Sequence, residues 1–453
     1  MLVLVVAQPR TGRLLFSFAR ISENSDEDVL AEEHTMAQPR YPAGTSAGDR
    51  LTASARGGAD LVSLAGVASV PAHGHEVLPW VPRSGRRSEI EEYTASIPPL
   101  IAGLPLAATP ALTDAARAAL VDIAVLERTY ADQVATLEPF LLRTEAIASS
   151  RIEEELTTVD QLARAQYGIN APKTARTVKG AIDGLSLLVE RSVDGIDLAD
   201  ILAAHRPLMA DDAEEKWDAG TLRTVQNWIG GSNRSPLGAV HVPPAPGRVP
   251  ELMQDLVVFM RRTDIDPILH AAVAHAQFES IHPFTDGNGR VGRSLINGVW
   301  RYRGVTTSMA VPVASAIVAD RGHYFDLVNS YRTGDIEPFT AYLADATSRA
   351  ATEAAVSAQR LIALPAQWRE RVRPRGGSAA AALLPLLPSR PIVDAHDVMA
   401  MTGTSQARAY AAIERLVDAD VLRPITQSRR DMTWAAGEVL DEADLMVERL
   451  RLR

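Results

Sequence analysis

The sequence predicts a mainly α-helical protein that carries one β-hairpin and ends in a small winged helix-turn-helix unit. Three observations point there: apolar residues recur every three or four positions over long stretches, one interval breaks into short Gly- and Pro-bounded pieces, and the tail reads helix, glycine turn, helix, short strands.

A chain of 453 residues has room for two or three folded units. The expected boundaries are a poorly ordered or variable segment at 1–90, a helical region at 91–205, a core with its hairpin at 206–360, a linker at 361–378 and the winged unit at 379–453. Ala, Gly, Ser, Pro and Arg dominate from about residue 36 to 90 without a sustained period, so no packed element is expected there. Met36 offers an alternative start. The stretches "DAARAALVDIAVLERTYADQV" and "LEPFLLRTEAIASSRIEEELTTVDQLARA" keep helical spacing. "GTLRTVQNWIGGSN" and "AVHVPPAPGRVP" then give a surface hairpin, or flap. Helices resume with "VPELMQDLVVFMRR" and "DPILHAAVAHAQFES", the second announced by Asp266 as N-cap and Pro267 in the first turn. Past the linker-like "RVRPRGGSAAAA", the tail predicts a helix ended at Gly403, a second helix capped by Ser405, and two short strands around "QSRRD".

Hydrophobic residues at 46% and charged residues at 23% are ordinary for a globular protein. A net charge of −10 excludes a chain that coats nucleic acid by bulk electrostatics, although a local basic patch stays compatible with it. With no cysteine there is no disulfide, thiolate zinc site or cysteine nucleophile, which fits a reducing cytoplasm. No apolar run reaches the roughly 18–20 residues of a membrane span, and the opening "MLVLVVAQPR" lacks the basic start of a signal peptide, so the expectation is a cytoplasmic protein without a membrane partner.

The chemistry concentrates in "HPFTDGNGRVGR", residues 282–293. A Gly-Asn-Gly turn (Gly287, Asn288, Gly289) that runs straight into the helical pattern "RVGRSLINGVWRYRG" aims unpaired N–H groups and the positive end of the helix dipole at one point. That point suits a phosphate. Arg290 and Arg293 add fixed positive charge with bidentate geometry for further phosphates, and Asp286 is placed to hold Mg²⁺ through one carboxylate and phosphate oxygens. The imidazole of His282 can take the proton of an attacking hydroxyl. The helix is expected to stop at Gly304. Neither a GxxxxGK[ST] loop nor a GxGxxG fingerprint is present to supply another nucleotide cradle. His241, His270 and His275 lack zinc-site spacing and read as structural.

"HPFTDGNGRVGR" resembles the signature of Fic-domain proteins, HxFx(D/E)GNGRxxR, at every specified position. The resemblance runs through "VQNWIGGSN", "VHVPPAP" and "HAQFESIHPF", so it covers roughly residues 90–360, and the winged tail is similar to one that many bacterial Fic proteins carry. It implies an all-α core enzyme that moves AMP from Mg·ATP to a Ser, Thr or Tyr hydroxyl of a protein. His282 would then be the general base and Phe284 the anchor of the loop in the core. Asp286 would bind Mg²⁺, Gly287, Asn288 and Gly289 would form the α-phosphate hole, and Arg290 and Arg293 would hold the β- and γ-phosphates.

"SSRIEEE" at 149–155 resembles the family's inhibitory motif, (S/T)xxxE(G/N), with Ser149 and Glu153 in register and on one helix face. A carboxylate reaching Arg293 would take the charge that should hold the γ-phosphate. Glu154 departs from the pattern, and its charge offers a competing partner for Arg293. In the flap, Ile229, Gly230, Gly231, Val240, His241 and Val242 offer main chain for pairing with an extended target segment.

The leading reading is therefore a self-inhibited protein adenylyltransferase. Self-modification and a homodimer are compatible with it. Removal of AMP, or transfer of another phosphate-bearing group, stays open within the same fold. A DNA-binding regulator acting through the winged unit stays open as well, with Arg408, Arg415, Arg423, Arg429 and Arg430 set against Glu414, Asp418 and Asp420.

Overall fold

The computed structural model describes residues 69–80, 90–210, 216–231, 235–425 and 432–452. Strands β1 (Gly74–Pro79) and β2 (Glu92–Ile97) come first, followed by helices α1 (Pro110–Thr129), α2 (Val134–Ile152), α3 (Val159–Gln166), α4 (Lys173–Arg191) and α5 (Leu198–Met209). Then come α6 (Val249–Met260), α7 (Pro267–Ile281), α8 (Asn288–Tyr302), α9 (Val313–Ile317), α10 (Arg321–Ser330) and the long α11 (Glu337–Val372). The C-terminal unit holds α12 (Ala379–Leu383), β3 (Ile392–Asp394), α13 (Ala395–Thr402), α14 (Gln406–Asp418), β4 (Arg423–Pro424), β5 (Thr433–Ala435) and α15 (Gly437–Arg451). The protein is mainly α-helical, as its sequence pattern requires.

Helix α7 sits at the centre because it has no polar face to turn outward: every residue from Ile268 to Ile281 is buried. Asp266 starts it, accepting hydrogen bonds from the N–H groups of Ile268 at 2.9 Å and Leu269 at 3.2 Å. Helix α8 packs on α7 and is also buried along most of its length, with Arg290, Arg293 and Asn297 as well enclosed as Val291, Leu295 and Val299. It ends at Tyr302, and Gly304 takes the left-handed φ of +65°. Helices α4 and α5 cross closely: a Cβ at Gly180 would lie 2.2 Å from the Pro207 carbonyl oxygen, and one at Gly184 2.4 Å from that of Ala204. Only glycine permits this approach, which seats His205 of α5 beneath the loop between α7 and α8.

Strands β1 and β2 pair antiparallel from Gly74↔Ile97 to Pro79↔Glu92. Strand β1 thus lies inside the segment expected to be poorly ordered and β2 at the start of the region expected to be helical, because alternation in "GHEVLP" and "EYTASI" is too short to stand out from its surroundings. Residues 1–68 and 81–89 of that segment lie outside the described residues. The boundary at 205/206 falls within α5. The expected linker at 361–378 is helical to Val372, with Pro365 inside the helix. Leu361, Leu364, Trp368 and Val372 recur at helical spacing and are buried, and Trp368 donates through Nε1 to Glu438 of α15 at 2.6 Å. That packing outweighs the local cost of the proline.

In the C-terminal unit the sheet order is β3-β5-β4, antiparallel throughout. Gly403 ends α13 with φ +65°, and Ser405 stands at the N-cap of α14, although its side chain makes no capping bond. The stretch "QSRRD" and with it Arg429 and Arg430 lie outside the described residues. This unit is tied to the helical region, not strung from it. Arg164 of α3 donates to the Ile425 carbonyl at 3.2 Å, Arg423 pairs with Asp160 at 2.6 Å, and Ala163 shares an apolar cluster with Ile392, Ile425, Ala435 and Leu440. Among the described residues, no helix is long and apolar enough to cross a membrane.

Candidate functional site

The loop between α7 and α8 gathers the chemistry-bearing residues because both flanking helices are pinned in the core. Its first residue, His282, is the C-cap of α7 and takes a left-handed φ of 49°, unusual for a residue with a side chain. Phe284 is fully buried and stacks on His205, with ring centroids 3.8 Å apart and planes 6° from parallel. Gly220 N–H donates to His205 Nδ1 at 2.9 Å, so Nε2 carries the hydrogen and donates to the Asp286 carbonyl at 3.1 Å. Burial holds the His205 pKa down at about 4, keeping the ring neutral in this role. Gly287 then adopts φ +78° as the N-cap of α8.

Asn288 has a different place from the one its position in the turn suggests. Its side chain points back into the loop, accepting from Phe284 N–H at 2.8 Å and donating to the Phe284 carbonyl at 2.9 Å. What it contributes to an anion hole is its main chain; its side chain holds the loop shut. The ring of His282 receives Nδ2 of Asn227 at 3.0 Å and Nδ2 of Asn288 at 3.2 Å, both at Nδ1. With Nδ1 accepting, the ring hydrogen sits on Nε2. The Asn227 carbonyl oxygen is buried without a partner. Asn227 Nδ2 also donates to the Phe284 carbonyl at 2.9 Å, which fixes the amide with its nitrogen toward the loop. Burial, together with the charges of Arg223 and Arg332, holds the His282 pKa well below its ordinary value, at about 3.

Two cations behave differently. Arg290 is buried, and of its guanidinium only Nη2 has a partner, Asp286 Oδ2 at 3.3 Å; Nε and Nη1 have none. Buried donors left unpaired are costly, and an anion at the start of α8 would satisfy them. Arg293, by contrast, is fully claimed. Its Nε donates to Ser149 Oγ at 2.9 Å, and Nη2 donates to the Ser149 carbonyl at 2.9 Å and to Glu153 Oε1 at 2.7 Å. Burial works against its charge, yet the Glu153 carboxylate and the groups around it hold its pKa above the usual value. Asp286 is half exposed, with Oδ1 accepting from Gly287 N–H at 2.6 Å. Among the described residues no cluster of three or more His, Cys, Asp or Glu forms a metal cage. One open carboxylate beside orphaned guanidinium donors does suit a magnesium ion that arrives with phosphates.

Glu153 lies against the start of α8. A Cβ on Gly289 would lie 2.0 Å from Glu153 Oε1, so the carboxylate is laid directly on the loop main chain. Glu154 does not compete for Arg293: it takes φ 64° and pairs with Arg321 at 2.7 Å. A left-handed φ is what Gly or Asn adopts readily, and here the Arg321 pair accompanies a strained glutamate.

The flap is a minimal hairpin. Ile229 N–H donates to the His241 carbonyl at 2.8 Å and Val240 N–H to the Ile229 carbonyl at 2.7 Å. The Val242 carbonyl is already taken by Ser96 N–H of β2 at 2.8 Å, and the His241 ring is buried against the Ser280 carbonyl at 3.0 Å. Of the six flap residues, Gly230, Gly231 and Val240 are exposed, while Ile229, His241 and Val242 are engaged within the protein. Ile229 and His241 are taken by pairing with each other, the His241 ring by the Ser280 carbonyl, and Val242 by β2. His270 and His275 are structural in their contacts, to the Phe259 carbonyl at 3.0 Å and the Tyr324 hydroxyl at 2.8 Å.

Three residues of the site escape sequence reasoning: His205, Asn227 and Arg223. Arg223 is buried and donates from Nε to the His282 carbonyl at 2.8 Å and from Nη2 to the Pro244 carbonyl at 2.6 Å, lacing the flap to the loop. A lone arginine in a β-prone stretch signals none of this; the only hint is its flanking by turn residues.

A model described as the Fic/DOC family matches residues 195–299. Proteins named "Protein adenylyltransferase Fic" are similar to this chain: that of Drosophila grimshawi is 30% identical over 189 residues, covering 37% of this chain and 36% of its own length. That of Aedes aegypti is 33% identical over 159 residues, covering 34% and 28%. This chain thus spans about a third of the length of the curated relatives it matches. A solved structure of a Fic family protein from Desulfovibrio desulfuricans G20 is 23% identical, with a TM-score of 0.47, covering 73% of this chain and 97% of the other.

Proposed function

This chain carries a Fic domain, and from that premise we propose that it transfers AMP from ATP to a hydroxyl side chain of a protein, with Glu153 as its built-in brake. The observation that carries the reading is the contrast between Arg290, with buried donors unclaimed at the start of α8, and Arg293, whose guanidinium is claimed by Ser149 and Glu153.

On this reading the triphosphate lies along the N-terminus of α8. The main-chain N–H groups of Asn288 and Gly289 face the α-phosphate, Gly287 shapes the turn with its own N–H held by Asp286 Oδ1, and Arg290 and Arg293 take the β- and γ-phosphates. Asp286 is the residue that would hold Mg²⁺, which supplies charge neutralisation along the phosphates. The oxygen of a Ser, Thr or Tyr hydroxyl forms a bond to the α-phosphorus while the bond from that phosphorus to the α–β bridging oxygen breaks. Pyrophosphate leaves, and the His282 ring takes the hydroxyl proton. The basicity of His282 rises when the phosphates bring negative charge beside it. The exposed part of the flap, Gly230, Gly231 and Val240, holds the target segment. While Glu153 holds Arg293, the γ-phosphate lacks its partner and the α-phosphate is not aligned for attack.

The position of the Glu153 carboxylate on the Gly289 main chain also favours a second reading, in which it orients a water molecule to remove AMP from a modified protein. Incorporation of label from α-³²P-ATP into protein by wild type, Glu153→Gly, His282→Ala and the double variant decides between them. Strong labelling by Glu153→Gly alone supports transfer. Silence in all four forms, with release of AMP from a pre-modified protein that depends on Glu153, supports removal.

DNA binding by the C-terminal unit gains no such support. Arg415 donates to the carbonyls of Val372 at 3.0 Å and Arg373 at 2.7 Å, and Arg423 pairs with Asp160, so two of the basic groups counted toward phosphate contact are engaged within the chain.

A further inference from the structure

A cleft of about 540 Å³ opens between α2, the end of α3, α4 and the C-terminal unit. Arg143 of α2 lines it and is only 8% exposed, yet it makes no hydrogen bond or ion pair with any described residue. The other buried arginines around the Fic loop all have at least one partner. The stem of Arg143 is packed among α2 and its neighbours while its guanidinium nitrogens face the cleft, so a fork of donors stands at a concave site with no protein group claiming it.

The acids of the cleft do not claim it. Asp397 accepts from the Tyr167 hydroxyl at 2.6 Å and from Asp394 N–H at 2.9 Å, and Glu138 lies at the partly exposed edge without an ion pair to Arg143. Burial alone pulls the Arg143 pKa down to about 10, with no carboxylate acting on it. Arg390 stands exposed at the mouth of the same cleft, and Leu142 and Ile182 provide an apolar wall. The volume falls in the range of small-molecule sites and exceeds what a bare inorganic ion fills.

We propose that this cleft is a binding site for a small organic anion whose phosphate or carboxylate group pairs with Arg143, with Arg390 at the entrance. A planar fork of donors suits either group bidentately. The site is separate from the Fic loop and stands or falls independently of the transfer reaction.

The test uses the full chain with three probes: glycerol 3-phosphate, citrate, and glycerol as the uncharged control. Hydrogen exchange read by mass spectrometry is expected to show saturable protection of segments around 138–143 and 389–397 with one or both charged probes and none with glycerol. The identity of the protecting probe separates phosphate from carboxylate recognition. Arg143→Met is expected to raise the melting temperature without ligand, since it removes an uncompensated charge, and to abolish the protection. Arg390→Ala, at the mouth, is expected to weaken binding several-fold, and it serves as the variant if Arg143→Met fails to fold. Protection confined to residues 285–293, no protection by any probe at millimolar concentration, or protection that survives both substitutions overturns the proposal. So does an Arg143→Met variant that melts lower and binds the probes unchanged.

Discussion

Glu153 Oε1 and Arg293 Nη2 meet at 2.7 Å although 140 residues separate them in the chain, and Ser149 binds the same guanidinium from one helical turn away. The C-terminal end of α2 is thus a two-residue clamp on the buried cation of α8. Its release is the clearest consequence to measure. Glu153→Gly is expected to raise AMP transfer by roughly 10- to 100-fold, the equivalent of one charge-assisted hydrogen bond of about 1.5–3 kcal/mol. Label incorporation at saturating ATP checks it. An unchanged rate would mean that Glu153 does not limit nucleotide placement.

The clamp is held from behind. Arg151, between its two residues, pairs with Asp444 on α15, so the C-terminal unit touches the braking turn directly. Asp444→Arg replaces attraction with repulsion and is expected to raise transfer by less than about 5-fold, because partly exposed ion pairs contribute only about 0.2–1 kcal/mol. Rates of the variant in low and high salt provide the check: the difference from wild type should shrink as salt screens the repulsion.

Arg223→Lys removes the fork that joins the flap to the His282 carbonyl while keeping the charge. Transfer, measured in the Glu153→Gly background, is expected to fall on the order of 10-fold or more, with ATP binding nearly unchanged, since the lost bonds orient the base and flap rather than the phosphates. Nucleotide titration alongside single-turnover transfer separates the two. A loss confined to ATP affinity would contradict this role.

Stability should pass through a maximum near pH 7. Burial lowers His73, His275 and His282 to about 3 and His205 and His270 to about 4, and holds His241 well below its ordinary value, so between pH 4.5 and 6.5 the unfolded chain binds more protons at these six sites and stability climbs with pH. Burial raises Glu145 to about 8 and Glu279 to about 7, so the native state holds protons there that the unfolded chain gives up near 4.5. Their contribution is complete below about 4.5 and declines up to about pH 8. The six histidines outweigh the two glutamates until about pH 7, above which the decline prevails. Melting temperature against pH tests this, and Glu145→Gln should flatten the alkaline side.

Much of this was legible in the sequence because it rests on short-range rules. The caps and apolar periods of α1, α2, α7 and α8 are local, and so is the run from His282 to Arg293, whose members lie within four residues of their neighbours in function. Ser149 and Glu153 were legible for the same reason: one turn of helix places them on one face, whatever α2 packs against. The strand that occupies the Val242 carbonyl comes from nearly 150 residues earlier, and the Asn288 side chain is claimed by the Phe284 main chain; spacing along the sequence specifies neither contact.

By itself, then, the sequence determined the helices and the glycine turn that opens α8 with its flanking histidine, acid and arginines, since propensity, capping and periodicity act between residues a few positions apart. Only the tertiary structure decided that Glu153 reaches Arg293, that Arg223 and Asn227 converge on His282, that Glu154 pairs with Arg321, and that Arg143 is enclosed without a partner. Those outcomes depend on which buried faces pack together, and burial, rather than spacing, sets what a charge or a hydrogen-bonding group must find beside it.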